Sequence, residues 1–136
     1  MEQIDLATGP VSLQPNWFTR IEVDGVSDER PGIYEWRIEG VGVYIGKYGR
    51  IRRPTKEYGR NLKRMLNGQN YRLNDKNGFR KIHHALLDAH RNAVKITLTI
   101  LENVIDPHQR SARERVLIAQ RRAEAKSGGL PVLNSD

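Results

Sequence analysis

The clearest hydrophobic pattern in the chain is an alternation over residues 94–100, where four branched apolar residues are separated by one lysine and two threonines. Alternation with a period of two places successive side chains on opposite faces of a sheet, so this segment predicts a β-strand with one buried face. Two shorter runs, 32–34 and 43–46, are rich in branched and aromatic residues and flank a glycine-containing turn at 39–42. They predict a β-hairpin, which we expect to pair with the strand at 94–100.

Apolar residues spaced three and four apart predict helices over 61–66 and 79–91, and a third helix follows the predicted strand. Two starts fit the third helix: Asp106 followed by proline, or a capping box in which Ser111 stands three residues before Glu114. The apolar faces of the first two helices are formed by Leu62, Met65 and Leu66, and by Ile82, Ala85, Leu86 and Ala89.

The element order β, β, α, α, β, α predicts an α/β (α+β) fold with a small three-stranded antiparallel sheet flanked by about three helices. A chain of 136 residues is long enough for one modest core, so we expect one domain at residues 31–136. Residues 1–30, which contain a candidate edge strand or packing arm at 17–23, are expected to pack on that domain as an N-terminal arm. The third helix is expected to end near Lys126, before an extended tail.

Charge and composition narrow the class of protein. Lysine and arginine number 23 against 16 acidic residues, a net charge of +7. Residues 1–29 carry six acids and one arginine, a balance of −5, so residues 30–136 carry +12. A basic body of this size favours polyanions, with nucleic acid ahead of a membrane surface because no basic amphipathic helix with a bulky aromatic face is evident.

Other features of the composition bear on location. The chain has no cysteine, which excludes disulfides and thiolate metal sites and fits a reducing compartment. No apolar run reaches the roughly 20 residues of a membrane helix, and the N-terminus has no signal-peptide pattern. We therefore expect a cytoplasmic protein of a prokaryotic cell, or one associated with its nucleoid.

The predicted hairpin carries groups with chemistry. Antiparallel pairing brings Tyr34 and Tyr44 near one another, Gly46 lets the backbone approach a ligand, and Lys47 extends a charge past it. Taken alone, each tyrosine fits an ordinary half-buried strand residue better than a functional one. A phenol with a pKa of about 10 is a poor base at neutral pH, so a neighbouring cation or a metal-bound water has to assist either tyrosine in accepting a proton from the attacking water.

Four segments of the sequence resemble the motifs of one nuclease family. Residues 32–34 (Gly-Ile-Tyr) and 44–46 (Tyr-Ile-Gly) occur in this order at hairpin spacing, followed by Lys47, and resemble the two motifs that name the GIY-YIG nucleases. Residues 114–118 resemble the family's Glu-x-x-Leu-Ile segment, and residues 130–134 resemble its Pro-x-x-Asn ending. The resemblance implies the GIY-YIG endonuclease fold and metal-dependent hydrolysis of phosphodiester bonds, with Mg²⁺ or Mn²⁺ as cofactor.

The resemblance also implies a catalytic set. In that set Glu114 holds the metal ion, an arginine neutralises charge on the scissile phosphate, and Asn134 holds the arrangement by hydrogen bonding. Arg64, in a Lys-Arg-Met-Leu context, is the best match for the arginine, with Arg60 as the alternative. The candidate catalytic residues are Tyr34, Tyr44, Lys47, Arg64, Glu114 and Asn134.

Residues 47–60 form the most basic stretch of the chain, in which Pro54 and two glycines argue against one continuous helix. We expect a loop that enters a helix near Thr55 or Gly59 and contacts a phosphate backbone, with occasional stacking of a tyrosine on a base. A solvated basic loop is the alternative. The nucleic-acid-binding candidates are Arg50, Arg52, Arg53, Lys56, Tyr58, Arg60 and Lys63.

The sequence leaves the substrate and the partners open. The leading expectation is a DNA endonuclease; the alternatives are a non-catalytic nucleic-acid-binding module on the same fold and an RNA-directed nuclease. The expected partner is DNA, duplex or single-stranded, or RNA, and no membrane. One site cuts one strand, so double-strand cleavage requires a homodimer, a partner protein or two successive nicks.

His83 and His84, in the second predicted helix, are expected to have packing or surface roles.

Overall fold

The structure is a computed structural model that describes residues 12–71 and 78–135. Residues 1–11 of the expected N-terminal arm, residues 72–77 of the polar loop that follows the first predicted helix, and Asp136 lie outside the described residues. Within the described ranges, no helix is long and apolar enough to span a membrane.

In the described part of the chain, four strands form one mixed sheet. They are β1 (Thr19–Ile21), β2 (Gly32–Ile38), β3 (Gly42–Tyr48) and β4 (Ile96–Asn103). Their spatial order is β1-β4-β2-β3; β2 is antiparallel to both of its neighbours, and β1 runs parallel to β4. The predicted hairpin and its pairing with the strand after the second helix are therefore confirmed.

The expected three-stranded antiparallel sheet is corrected to a mixed sheet of four strands. The additional strand, β1, falls inside the segment 17–23 that the sequence marked as an edge strand or packing arm, and it pairs only from Thr19 to Ile21. Three residues are too few for an alternating pattern to be recognised, and parallel pairing with β4 depends on tertiary contacts rather than on a local turn.

A π-helical segment, Arg53–Glu57, continues directly into α1 (Tyr58–Leu66). The stretch expected to be a loop as far as Thr55 or Gly59 is thus helical from Arg53 onward. Helical structure tolerates Pro54 because the proline lies in the first turn, where its missing N–H removes no helical hydrogen bond.

The other two helices are α2 (Lys81–Arg91) and α3 (Pro107–Lys126). The side chain of Asp106 accepts a hydrogen bond of 2.9 Å from the backbone N–H of Gln109 and caps α3. The first of the two predicted starts is therefore confirmed. Ser111 and Glu114 lie inside the helix and do not form its cap.

The sheet separates two apolar layers. The larger layer contains α1 and α2 against the even-numbered residues of β2, which are Tyr34, Trp36 and Ile38. The smaller layer packs Leu117 of α3 against Ile33 and Ile45. β3 is one of the two outer strands of the sheet. Its residue Tyr44 packs against the larger layer, and its residue Ile45 belongs to the smaller layer.

An ion pair fixes α3 on the smaller layer. The carboxylate of Glu35, on β2, is 5% exposed and accepts a hydrogen bond of 2.7 Å from Nε of Arg121. Arg37 lies 3.3 Å from the other oxygen of the same carboxylate. A buried carboxylate needs such partners, so this contact sets how α3 lies across the sheet.

Candidate active site

Tyr34 packs its ring against the backbone of Gly46 on the neighbouring strand. The two residues are opposite each other in the register, and Tyr34 is 1% exposed. A side chain at Gly46 would overlap the phenol ring, so the glycine is required by this close approach. Tyr44 pairs with Trp36, two pairs further along the ladder and therefore on the same face. The two motif tyrosines are thus diagonal neighbours rather than directly opposite.

A chain of hydrogen bonds joins these two tyrosines through Tyr58 and Arg80. The hydroxyl oxygens of Tyr34 and Tyr58 are 2.6 Å apart. Arg80, the residue before α2, donates through Nη1 to the Tyr44 hydroxyl at 2.9 Å and through Nη2 to the Tyr58 hydroxyl at 3.2 Å. Residues from β2, β3, α1 and the start of α2 therefore converge on one corner.

The direction of these hydrogen bonds follows from the chemistry of arginine. A guanidinium group only donates, so the oxygens of Tyr44 and Tyr58 accept from Arg80. Tyr34 and Tyr58 are both buried, and their hydroxyl groups share one hydrogen bond in which either can be the donor. The Tyr44 proton points away from Arg80.

Burial makes the phenols of Tyr34 and Tyr58 harder to ionise. Burial raises the pKa of Tyr34 to about 12, and nearby Tyr44 adds to the rise; the hydrogen bond with Tyr58 and the charges of Arg53 and Arg80 oppose it. Burial likewise raises the pKa of Tyr58 well above its ordinary value. Tyr44 is only partly buried, so its phenol is the one open to solvent and to a ligand.

A buried histidine fixes the backbone of Arg80. The backbone N–H of Arg80 donates to Nδ1 of His83 at 3.0 Å, and the carbonyl of Arg80 accepts from the backbone N–H of His83. His83 is 1% exposed, and its Nε2 lies 3.2 Å from the side-chain amide of Asn61 on α1. Burial, with help from Arg80 and neighbouring cations, lowers the pKa of His83 to about 4, so the ring is neutral at pH 7. The packing role expected for His83 is confirmed.

Glu114, on the other side of β3, is influenced by three cations. Among the described residues, its carboxylate makes no hydrogen bond or ion pair. Burial raises the pKa of Glu114, while Lys47, Arg115 and Arg53 oppose the rise. Lys47 itself donates from Nζ to Oγ of Ser111 at 2.7 Å, one turn before Glu114 on α3. This carboxylate is therefore free to take a ligand.

The donor set around Glu114 fits one kind of metal ion. In the described ranges, no group of three or more His, Cys, Asp or Glu side chains lies close enough to form a closed metal site. Mg²⁺ does not need one, because it is commonly held by one or two carboxylates together with water and substrate phosphate. A single carboxylate without a protein partner, beside a basic surface, fits Mg²⁺ or Mn²⁺ bound in that way.

The side chain of Asn134 forms hydrogen bonds with the backbone of β3 at Ile45, the middle residue of the second motif (44–46). Its side-chain oxygen accepts from the N–H of Ile45 at 3.0 Å, and its amide nitrogen donates to the carbonyl of Ile45 at 2.8 Å. Val132 adds a parallel bridge to Val43. The C-terminal segment therefore covers part of the free edge of β3 and holds it beside Tyr44.

The structure places the candidate arginines in different surroundings. Nη1 of Arg64 donates to the backbone carbonyl of Tyr71 at 3.0 Å, which ties α1 to the chain that follows it. Arg60 is exposed and lines a groove with Trp17 of the N-terminal segment. Arg53 is the arginine whose charge acts on both Tyr34 and Glu114. Of the three, Arg53 is the one whose charge lowers the pKa of Tyr34.

The remaining nucleic-acid-binding candidates divide between surface and core. Tyr58 is buried with its hydroxyl bonded inside the corner, so its ring has no free face for a base. Lys56 and Lys63 line the groove that contains Arg60. The exposed basic candidates are Arg50, Arg52, Arg53, Lys56, Arg60 and Lys63.

Sequence reasoning did not find Arg80. This residue is 36 positions away from Tyr44 along the chain and lies in no recognised motif. The only local signal is its place directly before α2, three residues ahead of His83, which completes a capping arrangement with it.

Comparison of the chain with protein-family models, with curated proteins and with solved structures found no match.

Proposed function

We propose that this protein is a metal-dependent endonuclease of the GIY-YIG type that hydrolyses phosphodiester bonds in DNA. The observation that carries the proposal is electrostatic: the charge of Arg53 acts on both Tyr34 of the first motif and Glu114 of α3. These groups come from separate parts of the chain. On a basic surface, a cation that acts on a motif tyrosine and on a carboxylate without a partner among the described residues suits the hydrolysis of a phosphodiester.

The two motif tyrosines take different parts in this proposal. Tyr44 is partly exposed and accepts from Arg80, so its oxygen is held in one place beside the substrate. It orients the attacking water and assists in removing its proton. Tyr34 stays neutral because it is buried, and its ring supports the close packing of β2 against Gly46.

The charged residues act on the phosphate and on the carboxylate. Arg53 neutralises the negative charge that builds on the scissile phosphate. Lys47 opposes the rise in the pKa of Glu114 and so favours its ionised form. Glu114 would hold Mg²⁺ or Mn²⁺, and when bound the metal ion supplies a positive charge that polarises the phosphoryl oxygens. Asn134 keeps the Tyr44 segment of β3 in position.

The test is cleavage of supercoiled plasmid with Mg²⁺, Mn²⁺ or EDTA. We expect metal-dependent nicking by the wild type and a loss of about 100-fold or more in Glu114→Gln, because that variant removes the charge that binds the metal. The matched control is Glu124→Gln, an exposed carboxylate near the end of the same helix, which should cleave like the wild type.

A second pair of variants separates the arginine candidates. Arg53→Met should lose about 100-fold in rate if it acts on the scissile phosphate, whereas Arg64→Met should keep its rate. The reverse result would return the role to Arg64. Parallel assays on matched single-stranded DNA and RNA identify the preferred strand. Absence of cleavage of every substrate, with salt-sensitive binding retained, would replace the nuclease by the non-catalytic binding module.

A further inference from the structure

A recess of about 330 Å³ lies beside Tyr44, between the start of α2 and the C-terminal segment. Its walls are formed by Tyr44, by Arg80 and Lys81, and by Leu133 to Ser135, with Ile82 beneath. Pockets for small ligands span about 300–1,000 Å³, so this one has room for a single small ligand and no more. It opens next to the phenol that the proposed reaction uses.

The described walls of the recess carry positive charge. Arg80 and Lys81 contribute two cations, and none of the described residues that line the recess has a carboxylate. Among the described residues neither cation forms an ion pair, and Arg80 donates its two side-chain hydrogen bonds to phenols. Lys81 is exposed. An anionic ligand would complete this arrangement, and a phosphate accepts from both arginine and lysine.

The other walls suit a group larger than a bare phosphate. Leu133 and Ile82 are buried and present an apolar floor. The Tyr44 ring forms a flat side wall, with the Arg80 guanidinium carbon 5.9 Å from its centre. Asn134 is committed to the Ile45 backbone, which leaves the Ser135 hydroxyl as a polar group at the rim. Cations, an apolar floor and an aromatic wall together match a phosphate joined to a sugar and base.

We propose that this recess binds one nucleotide of the substrate, next to the scissile phosphate, with Arg80 and Lys81 on its phosphate. This assignment rests on the proposed nuclease function. In this arrangement the scissile phosphate lies on the Arg53 and Glu114 side of Tyr44, and the neighbouring nucleotide lies on the Arg80 side. Arg80 then links the recess to the reaction, because the guanidinium group that contacts the nucleotide also holds the Tyr44 oxygen.

Binding of thymidine 5′-monophosphate to the full chain in EDTA tests this subsite without any cleavage step. In ¹H–¹⁵N NMR spectra we expect the largest changes at Tyr44, Lys81 and Ser135, and weaker binding of inorganic phosphate. Lys81→Met and Arg80→Met should each weaken nucleotide binding about tenfold. Lys126→Met is the matched control, since Lys126 is an exposed lysine in the last turn of α3, away from the recess, and should bind like the wild type.

The outcomes for the subsite and for the nuclease are distinguishable. Lys81 makes no described contact that holds the fold, so its variant keeps the test valid even if Arg80→Met disturbs the tyrosines. Wild-type cleavage combined with unchanged nucleotide binding in Lys81→Met would overturn the subsite and leave the nuclease standing. Nucleotide binding in the recess by a wild type that cuts nothing would support the subsite and overturn the nuclease. Equal binding of phosphate and nucleotide would overturn the assignment of a nucleotide.

Discussion

The contact between Tyr34 and Gly46 makes a single methyl group a severe perturbation. A Cβ added at Gly46 would lie 2.7 Å from Cε2 of Tyr34 and closer still to Cζ and the hydroxyl oxygen. Carbon atoms in ordinary contact are about 3.5–4.0 Å apart, so the ring has to move by about 1 Å or more. Tyr34 is 1% exposed, and the ring has little free space into which it can shift.

The cost of Gly46→Ala has two parts. Overpacking a close-packed core costs about 1–3 kcal/mol. Displacing the Tyr34 oxygen also breaks its 2.6 Å hydrogen bond with Tyr58 and leaves a buried hydroxyl without a partner, which costs about 1–3 kcal/mol more. We expect the free energy of unfolding to fall by about 3 kcal/mol, and Tm to fall by roughly 10 °C.

Urea denaturation followed by circular dichroism measures this change. The matched control is Gly49→Ala, just after the same strand, where a Cβ meets open space and the change should stay within about 0.5 kcal/mol. Tyr34→Ala should cost about 2 kcal/mol less in the Gly46→Ala background than in the wild type, because the clash has gone. A Gly46→Ala protein as stable as Gly49→Ala, or additive costs in the double variant, would refute the close approach.

Two further predictions concern the supports of the corner. The pKa of His83 is lowered in the folded state, so the unfolded chain binds the proton first as the pH falls. The contribution of the neutral ring to the free energy of unfolding is therefore fully present above about pH 6.5, and this free energy falls by about 3 kcal/mol as the pH drops towards 4. Urea titrations across this pH range should show the loss of stability in the wild type and in the control His84→Gln, whose histidine is exposed, but not in His83→Gln. A loss that persists in His83→Gln would contradict the assignment to His83. Asn134→Leu removes both hydrogen bonds to Ile45 and should lower the free energy of unfolding by about 2 kcal/mol, whereas a change below 0.5 kcal/mol would show that the contact is not maintained in solution.

Much of the fold could be predicted because its elements have local signatures. The hairpin has two β-prone runs around a glycine turn, and β4 begins inside a clean alternation. β1 has no such signature, since its three residues are selected by parallel pairing with β4. The start of the helical segment at Arg53 was missed for a different reason: Pro54 argues against a helix interior but is compatible with a first turn, and the sequence does not say which applies.

The candidate site could be predicted only where its residues belong to motifs. Tyr34, Tyr44 and Glu114 were named from the sequence, and the structure brings Arg53 within electrostatic range of Tyr34 and Glu114. Arg80 could not be ranked among the 23 lysines and arginines, because its position depends on how the start of α2 meets β3. Contacts of this kind arise from tertiary packing and leave no periodic trace in the sequence.

The different surroundings of the two motif tyrosines follow from the order of the strands. Tyr34 stands on β2, which has β4 on one side and β3 on the other, so its phenol is enclosed and its pKa rises to about 12. Tyr44 stands on β3, an outer strand whose free edge is partly covered by the C-terminal segment, and its phenol remains partly exposed. A neutral, enclosed phenol suits packing, whereas an accessible one held by an arginine suits contact with water and substrate. The strand order therefore gives chemically identical side chains different surroundings, and it is the reason we assign the reaction to Tyr44.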